Sequence, residues 1–244
     1  MRARQRHVNA RHAGAVLVLD ARYIAQADNT AVSTWSDRSA SGYDFSQATG
    51  ANQPTLQTGE VGGSSIVRFD GSNDKLTRSD TGFPTGNYTL IALTKQNNTI
   101  ANLEYRVFFG YGQASIGSGM WFMFGEDANF PSEAWGISQY GDGVGIASST
   151  QAHIIASSTR SSTTYAIWKN GASKTTKTMT TNTAVYGTNG AAVGANGLGA
   201  TNAGYPAYLN GDIGTIIYAG SEWSDSLRRK FEASVAYSWK IACS

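Results

Sequence analysis

The chain has 244 residues, of which 41% are hydrophobic, 11% are aromatic and only 15% are charged. This length fits one large all-β domain, and the aromatic content supplies a core, which excludes a disordered chain. The single cysteine, Cys243, excludes an intrachain disulfide framework and a cysteine-based zinc site. No run approaches the roughly 20 apolar residues of a membrane span, so no membrane partner is expected.

Residues 1–14 form a basic arm whose charge comes from Arg2, Arg4, Arg6 and Arg11. The rest of the chain has 15 basic and 17 acidic residues, so the positive net charge of +2 comes from the arm. Nucleic acid is disfavoured as a partner, because the body lacks an excess of basic residues. Since guanidinium groups pair well with carboxylates, we expect the arm to dock on an acidic protein surface within an oligomeric assembly.

From residue 15 to about 218, short β-type segments alternate with turns rich in Gly, Asn, Ser and Thr. This spacing predicts one compact sandwich or barrel. Asn170-Gly171 predicts a tight hairpin reversal, because this pair tolerates positive φ at both positions. The predicted strands are Ala15–Asp20, Ile66–Phe69, Tyr88–Thr94, Tyr105–Tyr111, Met120–Phe124, Ala134–Gln139, Ala152–Ser157, Tyr165–Lys169, Lys174–Thr178, Ala191–Val193 and Asp212–Tyr218.

Helical periodicity replaces this pattern at residues 224–241. An apolar stripe runs along one side, with Arg228 near its edge, and Ser224 or Asp225 can cap the first turn. The stripe predicts a helix that docks on the β-domain. Its members are Leu227, Phe231, Val235, Trp239 and Ile241.

Several segments, in this order and spacing, resemble laminin-G-like domains of the concanavalin A-like lectin/glucanase superfamily. They are Leu17–Ala21, Thr34–Asp37, Val67–Asp74, Tyr165–Gly171 and Asn210–Tyr218. The terminal helix, through Phe231-Glu232 and Ala236–Lys240, is similar to versions in tailed-phage virion proteins.

The resemblance covers residues 15–241 and implies an all-β, two-sheet antiparallel jelly-roll sandwich with one C-terminal helix. The domain is then residues 15–244. Trp35 and Asp37 are interpreted as structural, Trp35 filling core volume and Asp37 fixing a turn. The fold leaves function open, because it supports lectins, hydrolases and structural modules.

Catalytic patterns are missing from the sequence. Glucanases of the superfamily carry Glu-x-Asp on one strand, and none of the six glutamates here has Asp two residues later. Glycoside hydrolysis requires a pair of carboxyl groups, and the strand motif that supplies this pair in the glucanases is missing here. Cys243 is terminal, and His153 is interpreted as a core histidine. We therefore expect no enzyme activity.

Two kinds of binding site remain open at the loop rim. Asp127, Asn129 and Asp142 could supply oxygen ligands for calcium, and Asp70, Asn73 and Asp74 form a second acidic turn. The alternative is that these residues only make turns through side-chain hydrogen bonds. A glycan site would need aromatic platforms beside polar groups, and the candidates are Tyr111, Trp121, Tyr140, Asp142 and Tyr205. No other cofactor is expected.

Two functions follow. The first is a non-enzymatic virion protein of a tailed phage, a capsid decoration or head/tail surface module, anchored to other virion proteins by its arm. The second is a carbohydrate-binding, lectin-like adhesion module that recognises a host-surface glycan. The apolar run Ala15–Leu19 is shorter than the core of a signal peptide, which favours synthesis in the host cytoplasm and a place in the virion.

Overall fold

The fold is a sandwich of two antiparallel β-sheets closed by one helix. The computed structural model describes residues 13–78, 84, 86–98, 105–112, 120–125, 134–139, 142–148, 152–179, 190–196 and 207–243. Residues 1–12 of the basic arm therefore lie outside the described residues. Within them, no helix has the length and apolar character needed to cross a membrane.

The first sheet has the strand order β15-β14-β13-β8-β17-β6-β5-β2, and β1 also pairs with β17. Its strands are β1 (Ala15–Asp20), β2 (Thr30–Ala31), β5 (Thr55–Val61), β6 (Ser64–Asp70), β8 (Tyr88–Gln96), β13 (Ile154–Ser161), β14 (Thr164–Lys169), β15 (Ser173–Thr178) and β17 (Asn210–Ala219).

The second sheet has the strand order β12-β11-β10-β9-β16-β7-β4-β3. Its strands are β3 (Thr34–Trp35), β4 (Phe45–Ser46), β7 (Leu76–Arg78), β9 (Tyr105–Tyr111), β10 (Met120–Gly125), β11 (Ala134–Gln139), β12 (Asp142–Ala147) and β16 (Ala191–Val193). Helix α1 (Asp225–Trp239) follows β17.

The sequence therefore predicts the fold class and the terminal helix correctly. Ser224 caps α1 by accepting a hydrogen bond from the Leu227 amide at 3.3 Å, as expected. Asn170 and Gly171 have φ values of 53° and 78°, which confirms the hairpin turn. The predicted strand Ala152–Ser157 begins and ends too early in the chain, since β13 spans Ile154–Ser161.

The core lies between the sheets and is mainly aromatic. Tyr88 of the first sheet meets Phe122 of the second edge-to-face, with ring centroids 5.4 Å apart. Tyr218 stacks on Tyr88 at 5.5 Å, and its hydroxyl forms a hydrogen bond with that of Tyr111 at 3.2 Å. Because side chains alternate along a strand, the neighbours of these inward residues point to the outer faces.

The outer face of the first sheet carries α1, which packs on β8 and β13. Its buried apolar residues are Phe231, Val235, Ala236 and Trp239. Trp239 approaches β17 so closely that a Cβ on Gly214 would lie 2.6 Å from Leu93 and 2.9 Å from the indole. Only glycine fits there, beside a β-bulge between Ile213 and Thr215.

Trp35 and Asp37 are structural, as interpreted from the sequence. Trp35 is 1% exposed in the core. Asp37 accepts hydrogen bonds from the amides of Val18, Ser39 and Tyr43 at 2.8 to 2.9 Å. One carboxylate thus joins β1 to the turn that leads into β4.

We expect the substitution Asp37→Ala to lower the free energy of unfolding by about 3 kcal/mol, because it leaves several amides without an acceptor. Urea denaturation measures this loss. Asp44→Ala is the control, since the Asp44 carboxylate accepts one backbone hydrogen bond in the same turn, at 2.7 Å. Equal losses for the two variants would contradict the role assigned to Asp37.

Candidate functional site

Most of the rim residues proposed from the sequence fall outside the described part of the chain. These are Asp127, Asn129, Tyr140 and Tyr205, and the same holds for the arm residues Arg2, Arg4, Arg6 and Arg11. Asp142 is described, is 7% exposed and forms an ion pair with Lys177. Lys177 also donates to the Gly143 carbonyl at 3.0 Å, so the pair ties β12 to β15 across the sandwich edge.

The two candidate platforms on strands are placed differently from the expectation. Tyr111 is 1% exposed within the core, so it offers no surface to a sugar. Trp121 is half-buried and packs near Tyr105, with ring centroids 6.3 Å apart. Tyr111 lies in the core because it shares the inward face of β9 with Phe109, and their ring centroids are 6.1 Å apart.

The acidic turn at Asp70 and Asp74 is organised by hydrogen bonds. Asp70 Oδ1 accepts from the amide of Ser72 at 2.8 Å, and Asp74 Oδ2 accepts from the amide of Asp70 at 3.0 Å. Burial and the nearby charge of Asp70 raise the pKa of Asp74 to about 6. Within the described ranges, no group of three or more His, Cys, Asp or Glu side chains could hold a metal ion.

A buried ionic cluster surrounds Asp212, whose side chain is fully buried. Burial favours a raised pKa, but the nearby His153 imidazole, hydrogen bonds from Arg68 and neighbouring positive charges outweigh it and hold the pKa at about 2. Arg68 Nε donates to Asp212 Oδ1 at 2.7 Å, and His153 Nε2 lies 3.6 Å from Oδ2. His153 thus faces this cluster, which corrects its interpretation as a core histidine.

The first turns of α1 are attached to the first sheet through Arg228, which is fully buried. Its guanidinium carbon lies 3.8 Å from the ring centroid of Trp168 on β14. The same group forms ion pairs with Glu232, which is also buried, and with Asp225 at 3.0 Å. The stacking on Trp168 and the two ion pairs compensate the positive charge of Arg228, whose burial would otherwise be unfavourable.

This attachment leaves an open groove of about 550 Å³ between the start of α1 and strands β13 to β15, here called the α1 groove. Its lining includes a row of hydroxyl side chains presented by the outer face of the sheet and by the helix cap. They are Thr159, Ser161, Thr164, Thr176 and Ser224.

Charged and aromatic groups complete the α1 groove. Lys174, Glu222 and Asp225 line it, together with the indoles of Trp168 and Trp223. The Lys174 ammonium nitrogen lies 5.4 Å from the Trp168 ring centroid. The hydrogen bond and the positive charge of Arg228 lower the pKa of Asp225. The groove therefore offers hydroxyl groups and charges of both signs above indole rings.

Sequence reasoning did not predict this site. The hydroxyl residues belong to ordinary Thr- and Ser-rich strands, and no motif separates them from other threonines. The signal that could have identified them is the alternation of side chains along a strand. Thr164, Ala166 and Trp168 share one face of β14, and Trp168 is the only large apolar side chain among them.

No protein-family model matches the sequence, and no curated protein matches it. Solved structures do resemble the fold. Domain 4 of AbnA, a GH43 extracellular arabinanase from Geobacillus stearothermophilus, was solved in complex with arabinotriose. It gives a TM-score of 0.62 at 11% identity and covers 89% of this chain and 98% of the domain.

Two glycosidases show the same likeness. An arabinofuranosidase complexed with arabinofuranosyl-α-1,2-xylobiose gives a TM-score of 0.65 at 13% identity over 94% of this chain and 64% of that chain. Trypanosoma rangeli sialidase in complex with sialic acid gives 0.58 at 14% identity, and the match covers 91% of this chain but only 33% of the sialidase. At these identities the likeness shows the fold alone, a two-sheet β-sandwich.

The raised pKa of Asp74 predicts how the acidic turn affects stability at different pH values. The folded state holds its proton more tightly than the unfolded state, in which the pKa is 3.8. The stabilisation that this bound proton gives the folded state is therefore complete below about pH 4 and is lost as the pH rises through about 6. Asp74→Asn removes this loss, so we expect the variant to be more stable than the wild type by about 1–3 kcal/mol at pH 7.5 and nearly equal at pH 4.

Chemical denaturation at the two pH values, with a chelator present, measures the difference. The variant keeps a side-chain oxygen that can accept from the Asp70 amide, so the turn itself is retained. A variant that is less stable than the wild type at pH 7.5 would show that the ionised carboxylate is needed there.

Proposed function

We propose that this chain is a non-catalytic carbohydrate-binding jelly roll that holds an oligosaccharide in the α1 groove. The observation that carries the proposal is the row of hydroxyl side chains on the outer face of β13, β14 and β15. Hydroxyl groups both donate and accept hydrogen bonds, which matches the hydroxyl groups of a sugar. Lys174 and Glu222 add one charged donor and one charged acceptor to the same groove.

The size and support of the groove agree with this proposal. Its volume of about 550 Å³ lies within the range of about 300–1,000 Å³ typical of small-ligand sites. Strands β13, β14 and β15 are paired to one another along their lengths, so they hold the hydroxyl groups in fixed positions. A preorganised surface limits the entropy lost on binding.

The comparison with the arabinanase module gives further support. Domain 4 of AbnA is matched over 98% of its length and was solved in complex with arabinotriose. A separate domain with this fold and of similar extent therefore has an oligosaccharide in its structure. The longer glycosidases are weaker support, because this chain spans only part of them.

The ionised state of Asp225 favours binding over hydrolysis. A glycosidase needs one carboxyl group with a raised pKa as the general acid. Asp225 has a lowered pKa, because Arg228 donates to it and Arg229 lies 3.6 Å away. Asp225 is therefore ionised and engaged, which leaves Glu222 as the other carboxylate of the groove lining.

We expect the double substitution Thr164→Val and Thr176→Val to weaken oligosaccharide binding about tenfold, since each lost hydrogen bond contributes roughly 0.5–1.5 kcal/mol. Titration calorimetry with a panel that includes arabinotriose measures the affinity. Thr175→Val is the matched control, because Thr175 neighbours Thr176 on β15 but faces the opposite side.

Three results would count against the proposal. Wild-type protein that binds no oligosaccharide of the panel would contradict the function itself. Unchanged affinity in the double variant would contradict the groove as its site. Sugar release by the wild type that stops in Glu222→Gln would show that the protein is an enzyme.

We also propose that the jelly roll is carried on a phage virion, as a capsid decoration or head/tail surface module. The observation that favours this placement is the concentration of Arg2, Arg4, Arg6 and Arg11 on the arm, while the rest of the chain has a small acidic excess. Such a segment suits an acidic site on a capsid or other virion protein. Glycan binding by the body would then serve attachment to a host surface.

Deletion of residues 2–12 should abolish co-sedimentation with virions and leave the thermal unfolding of the body unchanged, because among the described residues the sandwich core begins at Ala15. A full-length variant with the four arginines replaced by glutamine separates charge from chain length. Attachment of the deletion variant at full occupancy would contradict the anchoring role of the arm.

A further inference from the structure

A second recess lies at the other end of the fold, after strand β1. Its volume is about 230 Å³, less than half that of the α1 groove. The lining comes from the 3₁₀ turn Ala21–Tyr23 with the residues after it and from the segment around β3. Trp35 lies at its buried base, and its indole N–H has no hydrogen-bond partner in the described part of the chain.

Tyr23 gives this recess an exposed aromatic ring. The residue is 61% exposed, and Tyr237 is the other strongly exposed large hydrophobic residue among those described. The guanidinium carbon of Arg38 lies 4.3 Å from the ring centroid of Tyr23 and covers one face. The exposed fraction shows that much of the remaining ring surface is open, so a ligand can stack on it.

Polar side chains surround the ring. Gln26, Thr34 and Ser36 line the recess, and all three are exposed. An amide and two hydroxyl groups beside an aromatic face can bind the hydroxyl groups and the apolar C–H face of one sugar ring. The small volume limits the ligand to about one such ring.

The recess is anchored by Asp20 and Arg22. Asp20 is 6% exposed, accepts from the Arg22 amide at 3.1 Å and binds its guanidinium through Nε at 2.9 Å. The Arg22 guanidinium carbon in turn lies 5.1 Å from the ring centroid of Trp239. These contacts fix the turn that carries Tyr23 against the last residue of α1.

The recess and the α1 groove are therefore separate. The groove adjoins the first residue of α1 and the recess is attached near its last residue. A helix of 15 residues is about 22 Å long. A single short oligosaccharide cannot occupy both places with the same sugar unit.

We propose that the Tyr23 recess is a second carbohydrate site, which holds a single sugar residue stacked on Tyr23 and hydrogen-bonded to Gln26, Thr34 and Ser36. The proposal extends the proposed function from one site to two. A module with two separated sites gains avidity on a surface that displays many glycan chains, provided that both sites can be occupied together.

The six tryptophan indole N–H signals in an NMR spectrum report on the two sites separately, because Trp35 lies at the recess and Trp223 at the α1 groove. The probes are methyl glycosides of L-arabinose, D-galactose and D-glucose, with arabinotriose for the groove. We expect at least one methyl glycoside to shift the Trp35 signal in a saturable manner.

Variants then test the role of the ring. Tyr23→Ala should weaken the binding reported by Trp35 at least tenfold, while Tyr23→Phe should stay within about twofold, because the ring face is retained. Tyr237→Ala is the matched control, since Tyr237 is 63% exposed. It should change nothing at Trp35.

The outcomes separate this proposal from the proposed function. A Trp223 signal that responds to arabinotriose while Trp35 responds to no probe would overturn the recess and leave the groove in place. Equal binding at Trp35 in the wild type and Tyr23→Ala would overturn the stacking role. Silence of both signals toward every probe would overturn both proposals.

Discussion

The buried guanidinium of Arg228 is the constraint on which the outer surface of this jelly roll depends. A fully buried positive charge is tolerated only with its partners in place, and here these are the Trp168 ring and the carboxylates of Glu232 and Asp225. Because Trp168 belongs to β14 and the carboxylates belong to α1, the arrangement fixes the helix against one part of the sheet. The α1 groove is the space that this fixed position leaves open.

The same constraint connects stability to function. Trp239, at the far end of α1, is held over Gly214 and contacts Arg22, which supports the turn of Tyr23. The helix thus bounds one proposed sugar site with its first turn and supports the other with its last residue. A jelly roll without this helix would leave the outer face of the first sheet flat and much of its apolar surface exposed to water.

The sequence predicts the fold well because the strands that form the core alternate regularly and are rich in aromatic and β-branched residues. It does not predict β2, β3, β4 and β7, which are two or three residues long. It also misses β5, whose register with β6 is irregular between Gln57 and Val61, and β12, where two glycines interrupt the pattern. Arg228 lies at the edge of the predicted apolar stripe, and its burial depends on Trp168, a residue 60 positions earlier in the chain. The groove hydroxyl groups were not predicted either, because strand alternation can assign them to one face of the sheet but does not show that α1 docks beside that face.

A crystal structure of the full chain with bound arabinotriose tests the central claim most directly. The account predicts electron density for the sugar between strands β13 to β15 and the start of α1, within hydrogen-bond distance of Thr164 and Thr176. Density confined to another surface, with the α1 groove filled only by water although arabinotriose binds in solution, would contradict it.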